Sequence, residues 1–183
     1  MPRIFVFCSA ENNLPEAYRR DARETGKLIG IRGHDFGYGG SNSGLMYDAA
    51  REAEACGAKL TGILPKMWKH FEKTEHRRLL SKDLRHRKLL YQMNADAFIA
   101  LPGGFGTLDE LFDTVVCRQH HIHQKPFAIV NTANFYGPLI KQIEHAYKEG
   151  FIDQKNKVKY KFVRTPLEAM NYIEKHLAKF KQD

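Results

Sequence analysis

Short apolar runs alternate with amphipathic stretches along the whole chain, and that alternation predicts strands and helices in turn. Arg3 to Cys8 (RIFVFC) reads as a first strand. Asn12-Asn13-Leu14-Pro15 opens a helix to Ile31, with Asn13 and Glu16 spaced like a cap. Asp35 to Tyr38 is a weaker strand that runs straight into Gly39-Gly40-Ser41-Asn42-Ser43-Gly44. Leu45 to Cys56 follows as a helix ended by Gly57, and Lys59 to Leu64 is a third strand, closed by Pro65. From Lys66 to Asp83 the pattern is lost, with charged residues around Trp68 and Phe71. Leu84 to Asn94 is helical, Ala97 to Leu101 a strand, and Leu108 to Ile122 a helix beyond a glycine turn. Phe127 to Val130 and Tyr160 to Val163 are further strands, separated by a helix from Pro138 to Glu149. Thr165-Pro166-Leu167-Glu168 is a capping box with proline just inside the start, so Pro166 to Phe180 closes the chain as a helix.

The runs at 97–101 and 127–130 are unbroken and apolar, as strands buried on both faces are. An α/β architecture follows, with a parallel sheet and helices on both sides. In such sheets ligands sit at the carboxyl ends of the strands, where both glycine turns fall. The second turn, Pro102-Gly103-Gly104-Phe105-Gly106-Thr107, lets main chain approach a ligand closely and leads into a helix whose first N–H groups lack partners. That arrangement suits a phosphate, and an acid, Glu110, stands one turn beyond it.

At 183 residues the chain predicts a single domain, residues 1–183, able to bury a core, and 43% hydrophobic with 27% charged residues is a globular balance. No apolar run approaches the roughly 20 residues that cross a bilayer, and the N-terminus reads as a strand, not a signal peptide. Cys8, Cys56 and Cys117 are scattered without metal spacing, which points to reduced thiols in a cytoplasmic protein. The net charge of +8 owes much to Lys155, Lys157, Lys159, Lys161, Lys175, Lys179 and Lys181. A nucleic-acid groove would want basic residues interleaved with exposed aromatics, and with no RRM, zinc-finger or KH signature those lysines read as a solvated surface.

The glycine turns exclude two chemistries. Gly37-Tyr38-Gly39 begins a dinucleotide fingerprint, but Asn42 stands where the third glycine belongs, and the turn follows the second strand. Gly39 to Gly44 has P-loop spacing, yet Leu45 and Met46 replace the lysine and hydroxyl that hold a γ-phosphate and magnesium. His120, His121 and His123 lack the i, i+4 spacing of a zinc helix and read as helix-end capping and packing, so no metal and no cofactor is expected.

Pro102 to Glu110 matches the PGGxGTxxE signature of the LOG family, the cytokinin riboside 5′-monophosphate phosphoribohydrolases that are often mislabelled lysine decarboxylases. Tyr38 to Met46 is similar to that family's YGGGxxGLM turn, with Ser41 at the third glycine. The stretch 95–101, Gln119, Ile122-His123, Lys125-Pro126 and 150–152 also resemble LOG positions. The MHERK-type segment stands as Leu84-Arg85-His86-Arg87-Lys88, and the CGSS stretch is reduced to Cys8-Ser9-Ala10-Glu11.

The resemblance implies a Rossmann-like, doubly wound nucleotide-binding domain that forms a homodimer. It also implies hydrolysis of the N-glycosidic bond of a nucleoside 5′-monophosphate, AMP or an N6-modified analogue, to free base and ribose 5-phosphate. Carried over position by position, Arg87 and Glu110 are the catalytic pair. Lys88, Gly103, Gly104, Phe105, Gly106 and Thr107 hold substrate, as does Glu72, with Glu75 as its alternative, while Gly39, Gly40 and Gly44 form the second turn. The chemistry is consistent from below: cleavage of C1′–N builds an oxocarbenium-like charge, which a carboxylate stabilises. Glu110 lies about 5 Å along a helix axis from the phosphate-binding N–H groups, roughly the length of ribose 5-phosphate from phosphorus to C1′. An arginine would grip phosphate or ribose oxygens, or orient Glu110. Two alternatives keep the phosphate turn. One is a capping box in which Glu110 merely reaches back to the backbone; the other is a nucleotide or molybdenum-cofactor carrier without chemistry.

Overall fold

A computed structural model describes residues 1–68, 76–153 and 160–180. Seven parallel strands, β1 (Arg3–Phe7), β2 (Asp35–Tyr38), β3 (Leu60–Pro65), β4 (Arg77–Ser81), β5 (Ala97–Ala100), β6 (Phe127–Val130) and β7 (Lys161–Val163), form one sheet in the order β4-β3-β2-β1-β5-β6-β7. Among the described residues five helices lie between strands, α1 (Glu16–Ile31), α2 (Gly44–Ala55), α3 (Leu84–Asn94), α4 (Phe105–Gln119) and α5 (Gly137–Lys148), and a sixth, α6 (Pro166–Phe180), follows β7. The chain runs outward from β1 to β4, then returns to β5 on the other side of β1. The crevice above β1 and β5 is therefore the topological switch point, where open α/β sheets bind ligands.

The period-2 alternation of β1 explains the layers. Ile4, Val6 and Cys8 pack with α1, α2 and α6, while Phe5 and Phe7 face α3, α4 and α5. On that second face an aromatic stack, Phe5–Tyr91 at 5.4 Å and Phe7–Phe98 at 5.5 Å between ring centroids, seats α3 against the strands.

Three boundaries differ from the sequence reading. β4 falls in the stretch that shows no pattern, because an edge strand written Arg77-Arg78-Leu79-Leu80-Ser81 has half-exposed, charged positions. Helix α1 starts after Pro15 without a side-chain cap, and Asn13 adopts φ 59° instead of capping. Helix α4 begins at Phe105, inside the glycine motif, not at Leu108. At α6 half of the capping box forms, Glu168 N–H donating to Thr165 Oγ1 at 3.2 Å, while Glu168 Oε2 accepts from Arg164 N–H, one residue before the cap, at 2.8 Å. Among the described residues, no helix is long and apolar enough to cross a membrane. Lys161 and Lys175 are exposed, whereas Lys155, Lys157, Lys159 and Lys181 lie outside the described residues.

Candidate active site

A cleft of about 570 Å³ opens at the carboxyl ends of β1, β2, β3 and β5. Its floor and walls include Cys8, Ser41, Met46, Leu64 and Trp68, and the start of α4 forms one rim. Gly104 caps α4 with its backbone alone, and Leu108 N–H makes the first intrahelical bond, to Gly104 O at 3.0 Å. The amides of residues 105–107 precede that bond and carry the positive end of the helix. A Cβ at Gly104 or Gly106 would meet nothing, so this backbone is open to a ligand, and Phe105 is 93% exposed beside it. Gly103 serves another purpose: its Cα packs on Thr107, where a Cβ would collide.

The other glycine turn is shaped by what it touches. Gly44 has φ +61° and abuts the Ala10–Glu11 backbone, which leaves no room for a side chain. Ser43 Oγ donates to Ala10 O at 2.8 Å, and Gly44 N–H to Asn12 Oδ1 at 3.1 Å, tying the turn to the loop after β1. Ser41, at the position of the LOG turn's third glycine, accepts Ser43 N–H through its hydroxyl at 3.3 Å. Gly40, with φ +73°, packs on Leu64, and neither Gly40 nor Gly44 lines the cleft itself.

Helix α3 brings Arg87 to the same place. Asp83 caps this helix, accepting His86 N–H at 2.8 Å, and so fixes its first turn. Arg87 Nε donates to Ile63 O at 2.9 Å and Nη2 to Gly39 O at 3.0 Å; Nη1 stands 3.5 Å from Glu110 Oε1. A Cβ at Gly39 would strike Nη2, so glycine there is the condition for this reach. The guanidinium lies between the Trp68 and Tyr91 rings, 5.7 and 5.2 Å from their centroids. Of the two roles open to an arginine here, this geometry serves orientation of Glu110, because two of its nitrogens are committed to main-chain oxygens.

Glu110 is 6% exposed yet lines the cleft. Burial pushes its carboxyl up from 4.5 to about 7, against the opposing pull of Arg87. The capping-box alternative fails on register: with Phe105 as the first helical residue, Thr107 and Glu110 are third and sixth, too far along to cap. The Tyr91 hydroxyl is buried beside the pair without a partner at hydrogen-bonding geometry, and as a nearby dipole it favours the ionised carboxylate. Cys8 is buried at the cleft floor, and burial followed by the charge of Glu110 drives its thiol pKa well up. It is a protonated wall group, not a nucleophile.

The structure thus brings together Arg87, Glu110, Gly39, Gly104, Phe105, Gly106 and Thr107. Lys88 differs from expectation. It does not line the cleft but pairs with Asp109 Oδ1 at 2.6 Å and Asp113 Oδ1 at 3.7 Å, because the residue after Arg87 points about 100° round the helix. Glu72 and Glu75 lie outside the described residues. Two contributors went unread in the sequence. Tyr91 is one turn beyond Arg87 on the same face, a spacing that signals it; Tyr136, whose hydroxyl donates to Leu101 O at 2.7 Å and so holds the start of the glycine motif, carries no local signal. His123 packs on the Phe98 ring and accepts Lys125 N–H through Nδ1, and burial beside Lys125 and Arg118 lowers it to about 4. Among the described residues no cluster of three metal-ligating side chains occurs.

Residues 44–173 match the family model described as possible lysine decarboxylase. A probable cytokinin riboside 5′-monophosphate phosphoribohydrolase of Oryza sativa subsp. japonica is 33% identical over 177 residues, covering 95% of this chain and 72% of that protein. A second rice protein, the cytokinin riboside 5′-monophosphate phosphoribohydrolase LOG, is 38% identical over 154 residues, 82% of this chain and 63% of the relative. By fold alone, the chain superimposes on the molybdenum cofactor binding protein of Rippkaea orientalis with a TM-score of 0.74, at 24% identity and with 96% and 97% of the two chains covered. The family model, the extent of the rice matches and the paired glycine turns agree: this chain belongs to the LOG family.

Proposed function

We propose that the protein hydrolyses the N-glycosidic bond of a nucleoside 5′-monophosphate, AMP or an N6-modified AMP, releasing free base and ribose 5-phosphate. The observation that carries this reading is a buried carboxyl, Glu110, held by Arg87 at 3.5 Å on the wall of a cleft rimmed by open helix-start amides. Thr107 and Glu110 are three residues apart, about 4.5 Å along the axis, which suits a 5′-phosphate on the amides and C1′ before the acid.

In this mechanism the ionised Glu110 faces the positive charge that develops at C1′ as the C1′–N bond lengthens. Water adds to C1′, its proton passes to the carboxylate, and the electron pair of the broken bond leaves with the base, which takes up a proton. A carboxyl titrating near 7 is suited to that exchange. Arg87 touches the acid and fixes its direction, while Met46, Leu64 and Trp68 give the base an apolar wall.

Incubation with AMP and with adenosine, read by chromatography for freed adenine, tests the reading. Adenine from AMP alone is the expected result; equal release from both removes the anion site from the argument. The shared fold with a molybdenum cofactor binding protein supports a second reading, a carrier that does no chemistry. A carrier has no need of a buried acid bonded to arginine, and wild-type protein that binds AMP without ever turning it over would favour it.

A homodimer is part of this proposal. Leu89, Met93, Phe112 and Val116 are exposed on the outer faces of α3 and α4, a surface suited to a second copy, and light scattering should give twice the chain mass. Three free cysteines suit a cytoplasmic location, and neither nucleic acid nor a membrane is a proposed partner.

A further inference from the structure

We propose that Lys88 and Asp109 are positioning residues, forming a second bridge between α3 and α4 that holds Arg87 and Glu110 in register, rather than ligands of the substrate. The inference rests on the hydrolase reading above. Its basis is a repeated pairing: two consecutive residues on α3, Arg87 and Lys88, each meet one of two consecutive residues on α4, Glu110 and Asp109. Consecutive helical residues point about 100° apart, so one pair turns into the cleft and the other lies along the seam between the helices.

The seam continues one turn further. Asp113, four residues after Asp109, approaches the same ammonium at 3.7 Å and accepts Gln92 Nε2 at 3.0 Å. Gln92, four residues after Lys88, also donates to Thr114 Oγ1 at 3.3 Å, and the Thr114 hydroxyl donates to the Glu110 carbonyl at 2.9 Å. A polar ladder therefore runs from Lys88 to the backbone of the reacting acid without entering the cleft. The ammonium already has two carboxylates, and Lys88 does not line the cleft that the α4 amides rim.

The ladder also acts through charge. The groups facing the Glu110 carboxyl are Arg87, Tyr91 and Lys88 from α3, Cys8 from the end of β1, and Asp109 from its own helix. Among them Lys88 favours the ionised form and Asp109 opposes it. Removing either charge loosens the same bridge but displaces the titration of Glu110 in opposite directions, a signature that general destabilisation does not produce.

The test is Lys88→Met, Asp109→Asn and the double variant, with AMP as substrate. Each single variant should lower kcat about threefold to fivefold, with KM changed by no more than about twofold. The double variant should be no slower than the worse single one, since both remove one bridge. The acid limb of kcat/KM should move to higher pH in Lys88→Met and to lower pH in Asp109→Asn. A KM for AMP raised about tenfold or more by Lys88→Met, with Asp109→Asn silent, makes Lys88 a substrate ligand and overturns the proposal. Two variants as active as wild type, with unmoved limbs, overturn it equally. Wild-type protein that frees no base from any nucleoside monophosphate sinks the hydrolase reading, not the bridge. In that case solvent exchange of the Arg87 Nε–H, which is bonded to Ile63 O, decides: faster exchange in both variants supports the bridge, and unchanged exchange rejects it.

Discussion

Replacing Glu110 by glutamine should change how stability depends on pH, and the size follows from the site. A buried acid whose folded value is raised binds more protons in the folded state than in the unfolded one. The folded form is therefore favoured at low pH, and that advantage is lost as pH climbs from 4.5 to about 7. Raising the carboxyl by this interval destabilises the folded state by about 3 kcal/mol once it is fully ionised, at ~1.4 kcal/mol per tenfold change in proton affinity. Between about pH 5 and pH 8 the wild type should thus lose about 2.5 kcal/mol through Glu110. Glutamine keeps an oxygen for Arg87 but cannot ionise, so the variant loses none of it. Any constant penalty from weakening the Arg87 contact offsets the whole curve without changing its slope. Urea unfolding of both proteins at a series of pH values measures the difference directly. Curves that run parallel from pH 5 to pH 8 refute the claim that Glu110 is a desolvated acid.

Four further outcomes follow from the same geometry. The kcat/KM of the wild type should rise with pH through about 7, the value at which Glu110 ionises, and turnover by Glu110→Gln should fall by about two to three orders of magnitude with AMP binding retained. Gly39→Ala should displace Arg87 Nη2 and lower kcat about a hundredfold while circular dichroism stays unchanged; full activity would show that the missing side chain at residue 39 is not what admits the arginine. Tyr136→Phe removes the buried hydroxyl that bonds Leu101 O, so it should lower stability by about 1 to 2 kcal/mol and raise KM for AMP, measured by urea unfolding and steady-state kinetics.

Much of this arrangement was legible in the chain because short buried strands and glycine turns carry local signals. β1, β2, β3, β5, β6 and β7 follow from apolar runs, and the switch point follows from where the glycines lie. β4 was not legible, since an edge strand with Arg77 and Arg78 lacks the apolar pattern that burial imposes. The identity of the proposed reacting pair came from motif resemblance. What the motif could not supply is that Arg87 spends two nitrogens on main-chain carbonyls, that Glu110 is nearly sealed from water, or that Lys88 turns aside to Asp109. Those are facts of helix phase and of elements far apart in sequence: Gly39, Ile63, Arg87 and Glu110 meet only once four strands are in place.

The anchors of Arg87 are carbonyl oxygens of residues 39 and 63, and every amino acid has a carbonyl oxygen. Provided residue 39 stays glycine, side chains of the apolar wall that do not touch the guanidinium are therefore free to diverge between descendants, or to be redesigned in the laboratory, without unseating it. On the proposed activity, adaptation toward a bulkier or smaller nucleobase has a route through Met46 and Leu64, whereas Trp68 also packs on the guanidinium.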